Sequence, residues 1–421
     1  MSASTTPPAP ARPRWADDER LARAAWSRLV ESGDAVGAAA LAALGPLAAV
    51  DVVLAGSAPP EVCEVLRVQP GVLHEAVERW RVRLPGVAPE RDVAVLERLG
   101  GRLVVPGDVE WPAGLDDLGV RAPACLWVRG PMGPTGLTSS AGAADAAAAD
   151  GVGLAALAAR SVALVGARAC TAYGQRVATD LACGAAERGV TVVSGGAYGI
   201  DAAAHRGALV VDGPTVAVLA CGVDRAYPQG NDQLLARIAA EGALVSEVPP
   251  GSAPTRWRFL ERNRLIAALA GATVVVEAAW RSGALSTARY AGGLLRPLGA
   301  VPGPVTSPAS AGCHRLLREE GAVCVSDVGE LLELVEPIGT ALPQPPAGVP
   351  AADHDGLPPQ DLRVLDALPV RSARPLAALA QAAGLPETAV LASLGRLSLR
   401  GLAERRPGEA WRRAPRRASS R

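Results

Sequence analysis

Residues 161–174, SVALVGARACTAYG, and residues 190–201, VTVVSGGAYGID, decide the fold. Each stretch opens on a run of apolar, mostly β-branched residues, turns on glycine and passes into residues with helical spacing. That sequence of patterns is a strand, a tight loop and a helix, the repeating unit of a parallel sheet. The unit recurs downstream, where apolar runs at 216–219, 244–245 and 273–276 alternate with helical stretches. The runs are apolar at every position, as central parallel strands must be when helices cover both faces. The expected fold class is α/β, an extended Rossmann-like, doubly wound parallel sheet.

Working outward, residues 100–130 carry short apolar runs separated by Pro112 and Pro123, an edge region that belongs with the sheet and gives a central domain of 100–335. Residues 134–160, almost wholly Ala, Gly, Ser and Asp, have side chains too small for a core and read as a surface insertion. Upstream, Leu21, Ala24, Ala25 and Leu29 recur at helical spacing within an expected helical domain of 16–99, preceded by a disordered tail of 1–15. Downstream, a Pro-rich linker of 336–357 leads to a unit of 358–413 and a basic tail of 414–421. In that unit Gly384-Leu385-Pro386 joins two helices, and a ribbon with Gly401 and Gly408 follows, which together predict a winged helix-turn-helix. Leu379, Val390, Leu391, Leu394 and Leu397 are its expected core, leaving Arg396, Arg400, Arg405, Arg406, Arg412 and Arg413 for solvent or phosphate.

Composition excludes several chemistries. All 42 basic residues are Arg, so neither a Walker A lysine nor a Schiff-base amine exists, and every phosphate contact must be made by guanidinium or backbone. The seven cysteines form no C-x-x-C pair, which fits reduced, buried thiols and no metal site. No run of ~18 apolar residues is free of Gly, Pro or charge, so no membrane span is expected. The first residues lack an apolar signal core, so a cytoplasmic location is expected. Net charge is zero, yet residues 358–421 hold twelve Arg against five acids, a basic appendage that points to a nucleic-acid partner.

The loops after the first two strands carry the site. A phosphate at a helix N-terminus meets free N–H groups and the positive end of the dipole. Gly166-Ala-Arg168 and Ser194-Gly195-Gly196 are two such turns on adjacent strands, with an Arg in the first and close backbone approach in the second. The one Phe and four Tyr, Phe259, Tyr173, Tyr198, Tyr227 and Tyr290, all fall in this domain, where aromatic rings could line a pocket. Four Arg with Trp257 and Phe259 make 256–264 the densest basic-aromatic stretch of the chain, and phosphates with bases are what such a stretch binds. Ser194, Asp201 and His205 suggest a hydrolase triad, but the serine lacks the G-x-S-x-G elbow, so Asp201 is expected to cap a helix or position His205 and Arg206.

These residues occur as spaced motifs in order: Gly166-Ala-Arg168 with Thr171-Ala-Tyr173-Gly174, Ser194 to His205, Gly222 to Asn231, Phe259 with Arg262-Asn263-Arg264, and Ser282-Gly283 with Thr287 and Arg289. Together they resemble the DprA (Smf) family of DNA-processing proteins, and the likeness runs on to about Val325. The resemblance implies an extended Rossmann fold that binds single-stranded DNA, forms a homodimer and loads RecA in natural transformation. It implies DNA-binding roles for Gly166, Arg168, Thr171, Tyr173, Gly174, Ser194, Gly195, Gly196, Gly199, Asp201, Phe259, Arg262, Asn263, Arg264, Ser282, Gly283 and Thr287. Duplex DNA is a further expected partner of the winged helix, against a protein-contact role for the same unit, and residues 285–335 are the expected dimer surface. Two departures stand out: Pro304 and His314 occupy positions where relatives often have Asn. No Gly-Gly-x-Gly-Thr-x-x-Glu occurs, the mark of related phosphoribohydrolases, so binding without catalysis, cofactor or metal is expected, with a nucleotide-processing hydrolase on the same fold as the alternative.

Overall fold

The β-branched runs become the centre of a nine-stranded sheet in a computed structural model that describes residues 12–57, 59–131, 153–336 and 356–414. The chain divides into two compact units, Met1–Pro343 and Gln344–Arg421.

The first unit begins with five helices, α1 (Glu19–Leu29), α2 (Ala35–Ala55), α3 (Pro60–Leu66), α4 (Pro70–Arg81) and α5 (Pro89–Arg98). The first four close on Leu29, Val53, Leu73 and a tilted Trp26–Trp80 pair with ring centroids 5.4 Å apart, whereas Leu96 of α5 packs in a separate core with Leu103 and Trp127. Among the described residues α2 is the one helix long and apolar enough to cross a membrane. Gly45, at φ 76° and ψ 169°, leaves helical geometry ahead of Pro46 and breaks it into two shorter pieces. Asp34 caps its start by accepting from the Val36 and Gly37 amides. The expected N-terminal tail is too long, because Trp15 and Ala16 are buried in this helical core; residues 1–11 lie outside the described residues.

Strands β1 (Gly101–Val104) and β2 (Leu126–Arg129) form the antiparallel edge of the sheet. After α6 (Leu154–Ala159) come β3 (Ser161–Gly166), α7 (Ala172–Ala186), β4 (Thr191–Ser194), α8 (Ile200–Val210), β5 (Thr215–Val218), α9 (Asp232–Glu241) and β6 (Ala243–Ser246). Then follow α10 (Arg256–Leu269), β7 (Ala272–Glu277), α11 (Ala284–Gly293), β8 (Leu298–Ala300), α12 (Ala311–Glu319), β9 (Val323–Cys324) and α13 (Val328–Val335). The order across the sheet is β1-β2-β6-β5-β4-β3-β7-β8-β9, and every pair from β6 to β9 is parallel. Side chains alternate as a strand requires: Ala163, Val165 and Val275 pack under α10 and α11, whereas Val162, Leu164 and Val274 pack under α7 and α8. The sheet is therefore a mostly parallel, doubly covered one, as its apolar runs predict. The order reverses between β3 and β7, and crevices open at such a reversal, beyond the carboxyl ends of the strands.

The expected surface insertion extends too far. Residues 132–152 lie outside the described residues, but Leu154 and Leu157 of α6 are buried in the sheet core, since two leucines on one face suffice to dock a short helix.

In the second unit α14 (Pro359–Ala367), α15 (Leu376–Ala383) and α16 (Glu387–Leu399) pack on Leu365, Leu379, Val390, Leu394 and Leu397. A small antiparallel sheet of order β10-β12-β11 completes it, from β10 (Arg374–Pro375), β11 (Ala403–Arg406) and β12 (Ala410–Arg413). Gly384, at φ 62°, ends α15 in the left-handed conformation that a tight turn needs. Two expectations change here. Leu391 is 52% exposed, not core, because it falls on the outer face of α16. Arg396, Arg405 and Arg406 are solvent-exposed as expected but ion-paired, Arg396 with buried Asp361, Arg405 with Glu409 and Arg406 with Glu404, and Arg412, less exposed, shares Glu404. Leu357, assigned to the linker, is buried in this core; residues 337–355 of the linker and 415–421 of the tail lie outside the described residues.

Candidate nucleic-acid interface

A cavity of about 460 Å³ lies at the β3–β7 reversal. Its walls include Gly166 at the end of β3 and Arg168 from the loop after it, Asp201 from α8, Phe259, Arg262 and Asn263 from α10, and Arg281, Ser282, Gly283 and Thr287 from the segment after β7. Three guanidinium groups face one carboxylate, so the cavity attracts anions.

The loop after β3 is held from below. Buried Glu277 accepts from the Thr171 amide (2.9 Å) and hydroxyl (2.6 Å), while Thr171 Oγ1 caps α7 by accepting from the Gly174 amide at 3.1 Å. Gly174 must be glycine, since a Cβ there would overlap the Glu277 carboxylate. The second loop is folded against the first: a Cβ on Gly199 would overlap the Ala167 carbonyl, and Ile200 N donates to that same carbonyl at 3.2 Å. Asp201 turns back to accept from the amides of Gly195 (3.1 Å) and Ala197 (3.4 Å). Burial pushes its pKa up, against the pull of the Arg262 charge and these two amides.

The two expected amide cradles are partly spent within the protein: the Ala167 amide of the first donates to the Glu277 carbonyl at 2.7 Å, and in the second the Gly195 amide is taken by Asp201. Guanidinium supplies the positive charge. Arg168 is exposed and sits 4.6 Å over the Phe259 ring. Arg262 is only 4% exposed; its Nη1 donates to the Gly195 carbonyl (2.8 Å) and the Val218 carbonyl, and its Nε is buried without a partner. Burial, with the Arg168 charge, lowers its pKa to about 10 despite Asp201, which leaves it protonated at neutral pH. Gly195 is glycine because a Cβ would overlap this guanidinium.

Other site residues take structural roles. Ser194 is fully buried and donates to the Leu164 carbonyl at 2.6 Å, and His205 bonds Thr215 Oγ1 at 2.7 Å, so no Ser-His-Asp relay forms. Asp201 does not position His205. Arg264 turns away from the cavity to a bidentate pair with Glu247 (3.0 and 2.6 Å) and to the Arg121 carbonyl. Arg258 pairs with Glu31 and Trp257 Nε1 donates to the Ser32 carbonyl at 2.6 Å, so much of the basic-aromatic stretch grips the N-terminal helices. Asn263 stays at the cavity, with long contacts to the Gly283 carbonyl (3.4 Å) and Ser286 Oγ (3.5 Å). Thr287 is buried in the wall, Ser282 Oγ accepts from the Ala284 amide at 3.4 Å, and Gly196 takes the positive φ of 66° that its turn requires.

Of the five Phe and Tyr rings only Phe259 lines the cavity, and Tyr227 leans on it with centroids 5.7 Å apart. Tyr173 donates to the Pro302 carbonyl (2.6 Å), Tyr198 accepts from the Gly230 amide and Tyr290 contacts Arg121. His314, at a position of departure, donates to the Gly303 carbonyl at 3.0 Å, so the loop beside Pro304 keeps a polar tie. Arg281 was missed; its place directly before Ser282-Gly283 was the available signal. No cluster that could hold a metal occurs among the described residues.

The sequence model of the family described as DNA recombination-mediator protein A matches residues 152–336. A protein of Mycobacterium tuberculosis named as a DNA processing protein DprA is 44% identical over 396 residues, which is 92% of each chain. The DNA processing protein DprA of Streptococcus pneumoniae is 40% identical over 171 residues, 41% of this chain and 60% of that one. The X-ray structure of DNA processing protein A from Streptococcus pneumoniae superposes with a TM-score of 0.55 and 29% identity, covering 76% of this chain and 98% of that one.

Proposed function

The chain belongs to the DprA (Smf) family of DNA recombination mediators, and we propose that it binds single-stranded DNA at the β3–β7 cavity and hands the strand to RecA. The observation that carries this reading is the Arg168 guanidinium 4.6 Å over Phe259, with Arg262 and Arg281 in the same walls. Single strands are bound by a cationic groove with aromatic faces for unpaired bases. A cavity of about 460 Å³ is the size of a small-molecule site, which suits a single nucleotide unit and not a duplex. Half-exposed Tyr227, leaning on its Phe259 wall, extends the aromatic surface outward.

Binding without turnover is part of the proposal. The one carboxylate in the cavity wall, Asp201, is occupied by two amides, which favours a structural over an acid-base role. Incubation with nucleoside monophosphates should release no base; release abolished by Arg168→Ala would favour the hydrolase alternative. Residues 285–335 form a homodimer surface in this reading, with β9 as an unpaired sheet edge open to a second copy. The three helices and ribbon of the second unit are read as a winged helix, which takes duplex DNA or a protein.

The deciding experiment is Arg168→Ala with oligo-dT. Loss of one charge-assisted contact costs ~1.5–3 kcal/mol, about tenfold or more in affinity. Equal binding by both proteins at low and moderate salt would overturn the cavity assignment.

A further inference from the structure

We propose that Trp280, outside the cavity, is a second base-stacking position for the same strand, a proposal that rests on single-strand binding at the cavity. After β7 the chain makes a tight turn in which Ser282 N donates to the Ala279 carbonyl at 3.0 Å, so Trp280 and Arg281 are its two central residues. The turn is fixed from behind, where Gly312 N, at the start of α12, donates to the Ala278 carbonyl at 2.7 Å. Arg281 enters the cavity wall; Trp280, its neighbour at the tip, stays outside it.

Trp280 is 54% exposed and belongs to none of the hydrophobic cores. Arg315 of α12 lies 5.2 Å from the ring centroid, so a guanidinium occupies one face while more than half of the side chain still meets solvent. A large ring held in place by a cation, and not by a core, has its free face available at little ordering cost. Arg315 also pairs with Glu320 at 3.2 Å, so the charge available to the phosphate beside a base stacked there is that of exposed Arg281. The occupant is the continuation of the strand leaving the cavity, because Arg281 joins the two positions through one peptide bond.

The test is anisotropy with fluorescent oligo-dT of increasing length, for the full chain and for Trp280→Ala, Trp280→Phe and Arg168→Ala. The shortest oligo that saturates the cavity should bind wild type and Trp280→Ala equally, which also shows that the variant is folded. Longer oligos should bind Trp280→Ala about tenfold more weakly, the scale of one lost base stack, with most of the affinity regained in Trp280→Phe. Equal affinity of Trp280→Ala and wild type at every length, with Arg168→Ala still weakened, overturns the Trp280 site and leaves the cavity reading intact. An equal loss at every length overturns it too, since Trp280 would then act through the cavity. Absence of any effect of Arg168→Ala removes the cavity reading and the Trp280 proposal with it.

Discussion

Gly195 shows how a residue can be selected for a reason different from its local pattern. The paired glycines of the β4 turn suggest backbone approach to an anion, yet the atom that approaches Gly195 is the buried guanidinium of Arg262, pinned by two carbonyls. Gly195→Ala should therefore destabilise the first unit by about 1–3 kcal/mol in urea melts, the usual cost of overpacking a site that cannot relax. An unchanged midpoint would mean that Arg262 moves freely. His205 makes a second residue-scale prediction. Thr215 Oγ1 donates to the Val192 carbonyl, so His205 Nδ1 must donate to Thr215, and its Nε2 is buried with no partner. Burial first, and then the Arg262 charge, lowers the histidine pKa from 6.5 to about 3. The folded protein keeps the ring neutral while the unfolded chain takes up a proton below about 6.5. Stability should be full above that pH and fall progressively as the pH drops towards 3. Urea midpoints at pH 7.5 and 5 should differ less in His205→Gln than in wild type.

At the scale of elements, α10 and α16 divide their surfaces differently from what their sequences suggest. From α10 come Phe259, Arg262 and Asn263 of the cavity, while Trp257 and Arg258 bind Ser32 and Glu31 of the α1–α2 loop. Its arginines look alike in sequence; only the fold separates those that face the cavity from those that hold the helix. On α16 the exposed side is mostly Leu391, Ala392, Gly395 and Leu399, which cannot read a base edge; Glu387, Thr388 and Ser398 are its few other exposed polar side chains, and Arg396 is held by Asp361. Duplex affinity of this unit should then come mainly from a few phosphate contacts by residues such as Arg371, Arg374 and Arg400. With about three such contacts, the slope of log affinity against log salt that this unit contributes should be about −3. A contribution steeper than about −5 would show that the ion-paired arginines of the ribbon open to bind phosphate.

At the scale of the molecule, each unit has its own core, so removal of residues 345–421 should leave the first unit folded. Single-strand affinity should survive that truncation, and duplex affinity should fall; unchanged duplex binding would assign the second unit to a protein partner. Light scattering at micromolar concentration should give a dimer mass without DNA, and a monomer would count against the 285–335 surface. What the sequence determined by itself was everything set at short range. Apolar runs specify strands, glycines specify the turns at their ends, the alternation of strand and helix specifies a doubly wound sheet, and Gly384-Leu385-Pro386 specifies the bend between α15 and α16. Short range also placed the cavity, because loops at the carboxyl ends of neighbouring parallel strands must converge. Only the tertiary structure decided which polar groups were still free to bind. Glu31 meets Arg258 across 227 residues and Arg262 meets Gly195 across 67, so no local pattern announces either pairing. Burial makes such partners obligatory, since a charge or an amide left alone in a core costs several kcal/mol. Folding therefore spends the Ala167, Gly195 and Ala197 amides, Arg258 and Arg264 on the protein itself, and leaves Arg168, Arg281 and the open face of Trp280 at the surface.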